Sequence, residues 1–129
     1  MTGVQTCALP IYIEQLLAQI AEHPVGGLLA NRVRDTMKRG IGDEVAETVA
    51  RDNLWHALTP QVFRYGLLQT ALRSAKAQGI VVTDEAQAIE SLGEKPLLVE
   101  GARDNLKITW PEDLQMAEAF LKLQAESGL

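Results

Sequence analysis

The sequence is short of the residues from which many sites are built. It has one cysteine, Cys7, and two histidines, so no internal disulfide can form, and no CxxC or HExxH zinc spacing occurs. No G-x-G-x-x-G, P-loop or G-x-S-x-G stretch is present, which removes the usual one-segment signatures of dinucleotide, nucleoside triphosphate and acyl-transfer chemistry. The paired acidic motif of a metal-phosphate centre is absent too. Charges or glycines interrupt every apolar run well before the roughly 20 residues needed to cross a bilayer. Positive charge is not in excess either. The formal net charge is -5, whereas general binding to nucleic acid requires clustered surplus Lys and Arg. These absences point to a soluble protein in a reducing, cytoplasmic setting, with neither membrane nor nucleic acid as a partner.

What is present suffices for one core: 129 residues at 47% apolar content are too few for two domains. In residues 12–22, Ile13, Leu16, Leu17 and Ile20 recur at the spacing of one helical face, and His23, Pro24 and the Gly26-Gly27 pair end that helix. From Val25 the chain reads as extended, with two runs around Gly40, Gly42 and Asp43 forming a hairpin. This hairpin carries Arg32, Arg34, Lys38, Arg39 and Arg51 among the 12 basic residues. It offers little to bury, so it should project from the core and find its stability against another surface. Residues 61–79 predict a helix with Phe63, Leu67, Leu68, Ala71, Leu72 and Ala75 on one stripe and Gly79 at its end. Residues 80–82 read as a short strand, TDEAQAIESLG as a capped helix, and PLLVEG and NLKITW as strands. PEDLQMAEAFLKLQAE closes the chain as a helix, with Thr109 as N-cap, Pro111 in the first turn, and Glu112 and Asp113 at its positive end. Strands alternating with helices indicate an α/β layer fold.

Three constellations could carry chemistry. The basic hairpin presents guanidinium forks suited to phosphate, although an edge ribbon kept soluble by charge is the commoner arrangement. Lys107 alternates with Leu106 and Ile108 on a strand leading into a helix, where α/β sheets collect ligands, but a solvated strand lysine has the same pattern. Thr59 in WHALTPQ and Thr83 in TDEA could donate hydroxyls to phosphate or cap helices. Trp55 and His56 more often pack than catalyse, and His56 has no partner pattern that would make it a base.

The ordered set VRDTMKR, LWHALTPQ, TDEA, LVEG, DNLKIT and PEDL closely resembles 2-C-methyl-D-erythritol 4-phosphate cytidylyltransferases of the non-mevalonate isoprenoid pathway, over about residues 12 to 129. The resemblance implies the C-terminal part of a Rossmann-like nucleotidyltransferase fold with a projecting β-arm at about residues 32–53. It implies an enzyme that transfers CMP from CTP to 2-C-methyl-D-erythritol 4-phosphate, releasing pyrophosphate and using a divalent metal, usually magnesium. By the same resemblance Thr36 and Thr59 line the methylerythritol phosphate pocket, and Lys107 positions its phosphate. Asp104 matches a family acid beside that lysine. Arg51 matches an arginine presented from the neighbouring subunit, because the arm clasps its counterpart in a homodimer. RDN at 51–53 stands where the family pattern has RNG.

The family's Gly-rich CTP loop, its downstream lysine and its D-A-A-R-P aspartate have no counterpart in this sequence. Residues 1–11, MTGVQTCALPI, can be encoded by a nucleotide string resembling a widely used short-read sequencing adapter, so they read as an artefactual leader joined to a cytidylyltransferase segment at Tyr12. On this reading Cys7 carries no redox meaning, and the segment has neither the CTP site nor the metal ligands. Two alternatives stand beside it: a fragment of a ribitol-phosphate cytidylyltransferase, and a non-catalytic dimerising module that binds phosphate.

Overall fold

In a computed structural model that describes residues 5–6, 10–102, 105 and 107–128, the elements follow in chain order. They are β1 (Gln5–Thr6), α1 (Pro10–Ile20), β2 (Gly26–Arg32), β3 (Met37–Ile41), β4 (Glu44–Val49), β5 (Trp55–Phe63), α2 (Tyr65–Ala77), α3 (Glu85–Glu90), β6 (Leu97–Glu100), β7 (Lys107–Ile108) and α4 (Pro111–Glu126). The mixed α/β class is as the element pattern implied. The central sheet runs β5-β2-β6, with β2 antiparallel to β5 and parallel to β6. Among the described residues β3 and β4 pair only with each other, and β1 pairs with β7.

Gly26 and Gly27 do more than stop a helix, because they begin the central strand. A Cβ on Gly26 would lie 2.3 Å from the Val62 carbonyl oxygen, and one on Gly27 would lie 2.5 Å from that of Leu97. Both neighbouring strands therefore approach too closely for any side chain, and Gly26 also sits at φ +113. Beyond the glycines, Leu28, Leu29 and Ala30 are all buried, the continuous apolar run of a strand covered on both faces. One cluster joins Leu16 and Ile20 of α1 to Leu29 and Val99, and a second joins Val25, Ala71, Ala88 and Ile89. The sheet is thus sandwiched between α1 and the α2–α3 pair. Each large aliphatic side chain fully buried here contributes about 1.5–3 kcal/mol.

Local signals set the helix ends. The His23 ring Nδ1 accepts from the backbone N–H groups of Val25 and Gly26, while the Arg64 guanidinium donates to the carbonyls of Ile20, Ala21 and His23. The unpaired carbonyls at the end of α1 are thereby satisfied by the residue that precedes α2. At α3, Asp84 is the N-cap, accepting the Gln87 N–H at 2.8 Å.

Several expectations are corrected. Ile13 and Leu17 are 41% and 47% exposed, because only Leu16 and Ile20 of the α1 stripe reach the sheet. The segment 61–64 belongs to β5 and its exit, so α2 begins at Tyr65. Its β-branched and aromatic residues pair with β2 before helical periodicity takes over. Residues 80–82 form no strand: Val82 packs into the second cluster, while Val81 stays exposed, with no strand to pair with among the described residues. The N-cap of α4 is Trp110, not Thr109.

Asp113 supplies the α4 cap from within the first turn. Its carboxylate accepts from the Thr109 and Trp110 backbone N–H groups at 2.9 Å each, and these donors hold its pKa below the usual value of 3.8. Because the folded-state pKa is depressed, the stabilisation is complete above the unfolded value and is lost as pH falls through the folded one. Asp113→Ala should therefore lower the melting temperature at neutral pH, and the gap from the parent should narrow progressively as pH falls through the depressed folded-state value. Melting curves taken from pH 7 down to pH 2.5 test this, and a gap that stayed constant would contradict it.

Candidate functional site

A cleft of about 410 Å³ opens beside the central sheet, lined by Thr59 and Gln61 of β5, Thr83 and Asp84 ahead of α3, Asn105, and Lys107 of β7. Its floor is made by a break in strand register. The β2–β5 ladder pairs Leu28 with Gln61 and Ala30 with Ala57, so Leu58, Thr59 and Pro60 bulge out of β5. A bulge re-aims side chains and removes its residues from the ladder, so the backbone groups it frees need other partners. The Thr59 carbonyl finds one in Asn105, whose Nδ2 donates to it at 2.6 Å. The Thr59–Pro60 peptide is cis.

The opposite wall is held by a side-chain network. Gln61 Nε2 donates to Asp84 Oδ2 at 3.0 Å, and Gln61 Oε1 accepts the Ala86 N–H at 3.1 Å. Gln87 Oε1 accepts from both the backbone N–H and the hydroxyl of Thr83. The Thr83 hydroxyl proton is thus directed at Gln87 and not into the cleft. Asp84 carries a negative charge at one side, and Lys107 is exposed at the other. Among the described residues, the Lys107 ammonium has no salt-bridge partner. An unpaired ammonium beside a bulged threonine can hold an anionic oxygen and a hydroxyl together.

Thr36 and Arg51 lie elsewhere. Both are exposed on the projecting hairpin, whose strands leave the central sheet after the Arg32–Trp55 pair. At this root the Arg32 guanidinium stacks 4.3 Å from the Trp55 ring centre. Arg51 Nη1 donates to the Arg34 carbonyl, and Arg51 lines a second, shallow concavity with Arg32, Asp52 and Asn53. Asn53 has φ 64, the left-handed conformation that glycine adopts freely and asparagine tolerates best among the other residues. The RDN departure from RNG therefore preserves the turn. Gly42 and Asp43 close the far end in a two-residue turn, and Arg39 pairs with Glu47 at 2.7 Å. Asp104 lies outside the described residues. Sequence reasoning brought Thr59 and Lys107 to attention but assigned nothing to Asn105 or Gln61, although both sit inside the quoted DNLKIT and LTPQ motifs.

No group of three or more His, Cys, Asp or Glu residues that could hold a metal ion occurs among the described residues. The donor set of the described residues therefore does not fit the divalent cation that the resemblance implies, and no chemical step is derived through one. No helix among the described residues is long and apolar enough to cross a membrane.

The central sheet, its flanking helices and the cleft beside its bulged strand define an α/β protein of the nucleotidyltransferase class. The sequence model of 2-C-methyl-D-erythritol 4-phosphate cytidylyltransferase matches residues 3–123, and the chain belongs to that family. It is 50% identical over 127 residues to the 2-C-methyl-D-erythritol 4-phosphate cytidylyltransferase of Vibrio cholerae, covering 98% of this chain and 55% of that protein. To the protein of the same name from Chromobacterium violaceum it is 54% identical over 125 residues, covering 96% and 55%. The crystal structure of the Francisella tularensis 2-C-methyl-D-erythritol 4-phosphate cytidylyltransferase superposes with a TM-score of 0.82 at 38% identity, covering 88% of this chain and 54% of that one. The chain spans about half the length of the curated relatives it matches.

Proposed function

We propose that this chain is the acceptor-recognising part of a cytidylyltransferase that moves CMP from CTP onto 2-C-methyl-D-erythritol 4-phosphate. The reading rests chiefly on one observation: Thr59 and Lys107, from elements far apart in sequence, face a single cleft. In the reaction an oxygen of the acceptor phosphate attacks the α-phosphorus of CTP in line. A new P–O bond forms, the bond to the bridging oxygen breaks, and pyrophosphate leaves with that electron pair. No proton need be taken from an ionised phosphate nucleophile, so positioning and charge neutralisation are the whole task. Lys107 offsets the repulsion between two anions as they approach, and Thr59 orients the acceptor. A divalent cation, usually magnesium, belongs to the remainder of the enzyme on this reading, as do the CTP contacts.

The same proposal gives the projecting hairpin a use. Ile41 and Val45 are 75% and 64% exposed on it, and among the described residues β3 and β4 pair only with each other. Such a ribbon is suited to pairing with a second copy in a homodimer, carrying Arg51 and Thr36 to the neighbour's cleft.

The test is pyrophosphate release. With CTP and methylerythritol phosphate, the full-length enzyme carrying this segment should turn over, whereas the 129-residue chain alone should release none. Turnover by the chain alone would overturn the division of labour, and a full-length enzyme that preferred ribitol phosphate would overturn the choice of acceptor.

A further inference from the structure

The inference concerns Asn105 and rests on the acceptor-site reading above. Asn105 is only 4% exposed, yet its side chain is incompletely satisfied: Nδ2 donates to the Thr59 carbonyl, while Oδ1 is buried without a hydrogen-bond partner among the described residues. A buried amide with one end unpaired is costly, and native structures keep few of them. Its remaining bond spans 46 positions of sequence and ends on the carbonyl that the β5 bulge has removed from the ladder. Two residues beyond Asn105, Lys107 opens the paired strand β7. One buried side chain thus connects the backbone carrying Thr59 to the segment carrying Lys107 across the floor of the cleft.

We propose that Asn105 is a positioning residue for the acceptor phosphate. It fixes the spacing between the Thr59 hydroxyl and the Lys107 ammonium, and does not itself touch the reacting atoms. Loss of the amide frees the Thr59 carbonyl, which then seeks another donor and takes the bulge with it. Displacements of about 1 Å at such a site can reduce rates by about a hundredfold. The defect should be selective, because the amide bears on the acceptor cleft alone.

The experiment uses the full-length enzyme with Asn105→Ala and Asn105→Asp, the second preserving volume while facing an oxygen toward the Thr59 carbonyl. Each should raise the KM for methylerythritol phosphate about tenfold or more and leave the KM for CTP within about twofold. An unchanged acceptor KM in a variant that melts like the parent overturns the proposal. So does a parallel rise in both KM values with a lowered melting temperature, or a failure of both variants to fold, since each marks a purely structural residue. Lys107→Ala run alongside separates the two ideas: if it too leaves the acceptor KM unchanged, the acceptor-site reading itself has failed.

Discussion

Lys107→Ala in the full-length enzyme is expected to lower kcat/KM for methylerythritol phosphate by about 10²- to 10³-fold, the scale seen when one preorganised electrostatic contact to developing charge is removed. Lys107 opens β7, and its side chain reaches the cleft that Thr59 enters from the bulge of β5. With no salt-bridge partner among the described residues, its charge is available to a ligand and is not spent on the protein. Lys107→Arg keeps the charge but replaces a compact ammonium with a planar fork, so it should recover only part of the loss. Steady-state pyrophosphate release measures both variants, and near-parent activity in Lys107→Ala would remove the lysine from the site.

Arg51→Ala should lower activity on a similar scale, and the informative measurement is complementation. Arg51 sits at the arm root among Arg32, Asp52 and Asn53, a different concavity from the Thr59–Lys107 cleft of its own chain. If each arm serves the other subunit, an Arg51→Ala chain paired with a Lys107→Ala chain makes one site with both residues intact and one with neither. Random pairing of equal amounts then gives about a quarter of parental activity from two nearly inactive proteins. Co-expression of the two full-length variants provides the mixture. Absence of recovery in a verified mixed dimer would leave Arg51 with its local role, the bond to the Arg34 carbonyl that braces the arm.

The arm shows how far sequence reading reached. Its polarity and its Gly40–Gly42–Asp43 breaker announced a ribbon outside the core, and β3 and β4 are such a ribbon. Its root was less legible, because RDN lacks the expected glycine, and only the backbone shows Asn53 taking the glycine's conformation. For the central strand the difficulty was the reverse. Gly26 and Gly27 looked like helix punctuation, a local signal, whereas their space is claimed by the carbonyls of Val62 and Leu97 far along the chain.

The sequence by itself determined the four helices and the hairpin in outline, and which family the ordered motifs belong to, because periodicity, caps and breakers act over a few residues; it misplaced the start of α2 and a strand at 80–82, where long-range pairing decides. Tertiary structure alone decided that Leu58–Pro60 leave the ladder, that a buried Asn105 holds the Thr59 carbonyl, and that Arg51 and Thr36 stand apart from the cleft holding Thr59 and Lys107. Strand register and the pairing of freed backbone groups are settled between residues distant in sequence, so no local pattern could have carried them.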